Sequence, residues 1–156
     1  MFFFPLDLAQ KGLSLYSVPA AFVMALLPNV YATASAGKNY DPANPRKLQD
    51  AVAAEDKIDK IVKARIFRAQ AATQNAFETL GLFAASVVAA NAAGVDARTT
   101  NVLALGYLGC RALYNVIYVR LQDNRNVAPL RSLVWTTSIG IIFTLYVKAA
   151  SKLSSF

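Results

Sequence analysis

The apolar positions of this chain gather into four long runs, separated by one long and two short polar stretches. A helix needs about 20 mostly apolar residues to cross a bilayer, and each run is long enough. The first, about 13–34, reads LSLYSVPAAFVMALLPNVYATA and carries Pro19 and Pro28, which predict a kink. The second covers about 61–93, more than one crossing needs, so its first turns are expected to stand clear of the bilayer. The third lies at about 99–121 and the fourth at about 130–150. None shows the alternation of a barrel strand. The expectation is an all-α integral membrane protein, a four-helix bundle forming one domain over 1–156. The only long internal loop is about 35–59, with turn signals at Asp41-Pro42 and Asn44-Pro45. The other links are short and predict antiparallel neighbours.

Composition sharpens this picture. Of 156 residues, 56% are hydrophobic and 16% charged, against about a quarter charged in soluble domains. The net charge of +7 comes without a basic stripe interleaved with aromatics, so a nucleic-acid partner is not expected. There is no histidine and one cysteine, Cys110. That argues against a metal centre and a Ser-His-Asp triad, and it excludes an internal disulfide. A signal peptide over 13–36 is disfavoured by its broken apolar core and weak positive start, so the first helix is expected to be retained. Nine lysines and arginines, from Lys38 to Arg131, flank the first and third connections; Lys11, Arg98, Lys148 and Lys152 make four on the other side. This bias predicts a cytoplasmic long loop and both termini across the membrane.

The polar residues inside the runs carry the candidate chemistry. An ionisable residue in a spanning helix faces the interior and marks a functional site by default. On the second helix Arg68 and Asn75 are seven apart, and Asn75 and Glu78 three apart. On the third, Arg111, Tyr114 and Tyr118 stand at i, i+3 and i+7. Each set shares a helix face. Glu78 lies ~15 Å beyond Arg68 along its axis, and Arg111 is similarly deep, so Glu78 and Arg111 are expected to meet. Such a pair alone would serve equally to fix helix register. The whole set, with Arg125 and Arg131 at the mouth, points to a partly polar cavity open to the cytoplasm. Tyr107, Tyr16, Tyr31 and Trp135 are read as packing or interface anchors.

Two blocks carry a resemblance. RAQAATQNAFETLGLFAA at 68–85, with RALYNVIY at 111–118 followed by APLRSLVW at 128–135, resembles the MAPEG family, the membrane-associated proteins of eicosanoid and glutathione metabolism. The NYDPANPRK loop and the LRSLVW ending are most similar to its fungal branch. The resemblance implies a homotrimer in the endoplasmic reticulum with active sites between protomers. It implies a transferase or peroxidase that uses glutathione against a lipophilic electrophile drawn from the bilayer. By position, Arg68, Asn75, Glu78, Arg111, Tyr114 and Tyr118 resemble glutathione-binding residues. Arg131 resembles the arginine that holds the thiolate, with Arg125 as runner-up; Glu78 and Tyr118 are further catalytic candidates. Ala71 stands where the family's glutathione enzymes usually carry a second arginine, and Thr79 where some use tyrosine. Those departures keep open a glutathione-independent isomerase or cyclase of a hydrophobic metabolite. A non-catalytic membrane protein is the third possibility.

Overall fold

The computed structural model describes residues 7–154, and among these residues every regular element is helical. There are five α-helices: α1 (Ser17–Ala36), α2 (Leu48–Ala54), α3 (Lys60–Ala92), α4 (Ala97–Val119) and α5 (Ala128–Leu153). The four expected long helices are present with shifted ends. The first begins later because a 3-10 turn, Leu13–Tyr16, precedes it. The fourth begins earlier because Pro129 sits in its first turn, where a missing N–H costs nothing. The long loop is not structureless: it contains α2, whose Leu48 and Val52 plug the packing between the long helices.

Among the described residues three segments are long and apolar enough to cross a membrane: Leu13–Asn39, Ala97–Asp123 and Arg125–Leu153. The helix α3, at 33 residues, is the longest, yet it does not reach that apolarity, because its polar stripe counts against it. It packs against α1, α4 and α5 alike. Small residues make this possible. The buried face of α1 is Ser17, Ala21, Ala25, Pro28, Ala32 and Ala36, and α3 answers with Ala69, Ala72 and Ala76. Without a hydrophobic drive in lipid, close backbone approach through small residues is what holds helices together. Many large apolar side chains point outward, as with Leu27, Val30, Leu133, Phe143 and Val147.

The two prolines of α1 behave differently. Pro19 lies in the first turn and breaks nothing. Pro28 is interior, so the Met24 carbonyl four residues back loses its helical donor. Asn115 of α4 takes over, its Nδ2 donating to the Met24 oxygen at 3.3 Å.

The turn between α3 and α4 is tightly specified. Gly94 has φ 71°, Val95 N–H donates to Ala90 O at 3.0 Å, and Gly94 N–H to Asn91 O at 3.1 Å, which closes a Schellman turn. Asp96 then caps α4 by accepting from Thr99 N–H at 2.8 Å. At the same end Asn101, buried on α4, ties down the segment before α1. Its Nδ2 donates to the carbonyls of Leu8 and Gln10, both at 2.8 Å, and its Oδ1 accepts from Ser14 N–H at 2.8 Å.

The buried residues form two apolar clusters. One contains Ala32, Leu48, Ile66, Tyr114, Ile117 and Val134. The other contains Phe83, Val87, Tyr107, Ile142 and Leu145, with the Phe83 and Tyr107 rings stacked at 3.8 Å. Arg111 belongs to neither cluster and lies on α4 between Tyr107 of one and Tyr114 of the other.

The Asn115–Met24 bond predicts a coupled stability effect. Asn115→Leu should destabilise the protein in detergent by about 1–2 kcal/mol. In a Pro28→Ala background, where residue 28 again offers an N–H to Met24, the same change should cost clearly less. Thermal unfolding of the four proteins in the cycle measures this.

Candidate functional site

The first turn of α5 places Arg131 beside α4. Its guanidinium lies over the Tyr118 ring, 4.6 Å from the centroid. Tyr118 meets Tyr114 edge to face, with centroids 5.6 Å apart and planes at 66°. One turn deeper, the Arg111 guanidinium lies 4.6 Å over Tyr114, and its Nη1 donates to Asn75 Oδ1 of α3 at 3.1 Å. Two aromatic rings thus lie between two guanidiniums from the mouth inward, and each cation–ring contact is favoured further by desolvation. Beside this stack runs an open cleft of about 310 Å³ lined by Asn75, Tyr114, Arg131, Ser132, Trp135 and Thr136.

The electrostatics of the cleft are one-sided. Arg111 is only 3% exposed, and no carboxylate pairs with it or with Arg131 among the described residues. Arg111 Nη2 and Arg131 Nε are buried without a hydrogen-bond partner. A buried cation satisfied only by an amide oxygen and ring faces is under-compensated. The arrangement can therefore receive an anion.

Three expected residues stand elsewhere. Glu78 does not meet Arg111: it is exposed on the outer side of α3 and has no ion-pair partner among the described residues. Asn75 stands level with Arg111 and Thr79 with Tyr107, so Glu78 lies about one turn deeper than Arg111, and three residues turn a helix by about 300°, not a full circle. Asn75 faces α4; Thr79 takes the inward position and its hydroxyl lies 3.1 Å from Tyr107 Oη. Arg68 sits in the α4–α5 corner, bonded to the Val119 carbonyl at 3.3 Å and the Gln122 carbonyl at 3.4 Å and ion-paired with Asp123. Arg65 grips the same carboxylate, with Nε 2.9 Å from Asp123 Oδ2. Arg125 is exposed in the 3-10 turn before α5 and does not line the cleft, whereas Arg131 does. Trp135, read as an anchor, lines the cleft, and Ser132 and Thr136 join it. These last positions were legible: from Arg131, offsets of one, four and five stay on one side of a helix.

An all-helical fold over the described residues, with three membrane-length apolar segments and a cleft lined by Arg131, Asn75, Tyr114 and Trp135, defines an integral membrane protein with a partly polar cleft. The sequence signature of the MAPEG family matches residues 13–151, and the chain belongs to that family. The family includes glutathione transferases and related isomerases, which supports a membrane enzyme of that general type. No curated protein and no solved structure matches the chain.

The Asp123 clasp carries a prediction about the corner that launches α5. Asp123→Ala should lower the melting temperature by a few degrees. Adding Arg65→Ala and Arg68→Ala to that variant should cost less than either change does in the native chain. A thermal double-mutant cycle in detergent reads the coupling.

Proposed function

We propose that this protein is a membrane-bound glutathione-dependent transferase or peroxidase acting on lipophilic electrophiles, with Arg131 favouring the thiolate. The observation that carries the reading is a pair of guanidiniums with unspent donors, Arg131 in the wall of the cleft and Arg111 buried directly behind its Asn75 and Tyr114. Glutathione supplies the nucleophile as its thiolate sulfur. In this reading Arg111 and Asn75 hold a carboxylate or the peptide backbone at the inner end of the cleft. Arg131 stands at the mouth beside Ser132, where a sulfur would lie. A free thiol has a pKa near ~8.5 and is mostly protonated at neutral pH. A guanidinium within hydrogen-bonding reach favours the charged form, and water exclusion by Trp135 strengthens that field. Tyr118 keeps the Arg131 guanidinium in place through their stacked contact.

The reading includes a homotrimer in the endoplasmic reticulum, with the long loop in the cytoplasm. Glu78 and Gln74 support the association: both are exposed on α3 of the single chain. A carboxylate at membrane depth is costly unless protein or water covers it. Covered by a neighbouring copy, Glu78 would complete the cleft with the carboxylate that a ligand ammonium needs.

A second reading, a glutathione-independent isomerase or cyclase, is favoured by one observation. Ala71 offers no cation, and Arg68 is already engaged by Asp123. Only two arginines then remain for the two carboxylates of the tripeptide. In that case the same cleft would stabilise an enolate-like charge, with Tyr114 or Tyr118 moving a proton.

Two outcomes are expected. Ultraviolet difference spectra of detergent-purified protein should show glutathione thiolate near neutral pH. Arg131→Ala should abolish the signal and cut turnover with a model electrophile by about 10²–10³-fold, while Arg125→Ala leaves both near native values. No thiolate signal at saturating glutathione removes the leading reading and favours the second. Independently, Glu78→Gln should weaken glutathione binding by about tenfold while the assembly stays intact by native mass spectrometry. An unchanged affinity would place Glu78 outside the site.

A further inference from the structure

The α1–α4 side of the molecule, away from the cleft between α3 and α5, carries its own groove. It encloses about 320 Å³ and is bounded by Met24, Leu27 and Pro28 of α1 and by Ala112 and Val116 of α4. Its rims are exposed apolar side chains, Leu27 at 56% and Val116 at 53%. The single amide in its wall, Asn115, has already given its Nδ2 to the Met24 carbonyl, and its Oδ1 is buried away from the groove's opening.

Polarity returns only at one end. There Arg120, exposed at the end of α4, lies 4.8 Å over the Tyr31 ring. Among the described residues no carboxylate pairs with Arg120. From Ala112 to Arg120 the groove follows α4 for ~12 Å, close to the ~15 Å hydrocarbon depth of one leaflet. Cation and aromatic at the interface, with a featureless apolar slot one leaflet deep behind them, match an amphiphile with a negative head. A second protein helix would need packing partners along the slot and no free cation at its end.

We propose that this groove binds one anionic glycerophospholipid from the leaflet on the Arg120 side, its phosphate on the Arg120 guanidinium and one acyl chain along Met24, Pro28 and Val116. The full chain, purified in mild detergent, is mixed with phosphatidylglycerol or phosphatidylcholine of identical acyl chains. Retained lipid is counted by native mass spectrometry. The native protein should keep one phosphatidylglycerol per protomer in preference to phosphatidylcholine. Arg120→Gln should lower that retention about fivefold, the effect of one interfacial cation, and Arg120→Lys should keep most of it. Val116→Trp, which fills the slot, should remove both lipids.

Equal retention of the two lipids by the native protein overturns the proposal, and that comparison decides the matter even if a variant fails to fold. Unchanged retention in a folded Arg120→Gln protein overturns it too. So does disulfide linkage of copies through Val116→Cys under mild oxidation, because a second chain would then occupy the groove.

Discussion

Hydrocarbon offers no hydrogen bonds, so each polar group that this chain carries into the bilayer must find its partner inside the protein. Most of the specific geometry follows from that requirement. The Met24 carbonyl, orphaned by Pro28, is met by Asn115 from another helix. The Thr79 hydroxyl lies against Tyr107. Both terminal nitrogens of Arg68 are engaged by carbonyls at the end of α4 and by Asp123, leaving only its Nε unpartnered. The alanine faces of α1 and α3 bring backbones close, but they do not by themselves fix rotation or register. The polar contacts add that specificity.

The requirement is unmet at the cleft, which is where the proposed function puts its ligand. Arg111 has one neutral oxygen and an aromatic face in place of a counter-ion, and Arg131 has tyrosine partners, among them the face of Tyr118. Two apolar clusters on either side keep the protein from relaxing around the charges. In the proposed reading, a bound anion supplies the compensation that the fold withholds.

Much of this was legible in the sequence, because length and apolarity set the helices and spacing put Asn75, Arg111, Tyr114 and Tyr118 on matching faces. The rotation of α3 was not legible. Glu78 lies at the edge of the polar face, where 60° decides between inside and outside, and spacing alone does not set that phase. Arg68 was misjudged for a different reason: its partner Asp123 lies in a short link that reads as ordinary loop. The helix α2 was hidden because seven residues within a turn-rich stretch give too little periodicity to read. Trp135 was assigned to the membrane interface on residue type, although its position one turn after Arg131 placed it at the cleft.

Asn101 has a bearing on how the protein is made. The groups it holds at the start of the chain precede it by 87 to 93 residues. During synthesis the first helix therefore enters the bilayer long before the side chain that seats its leading end exists. Its final depth is settled only when α4 arrives. Topogenesis here is not strictly sequential: the earliest segment is the one whose placement is finished late.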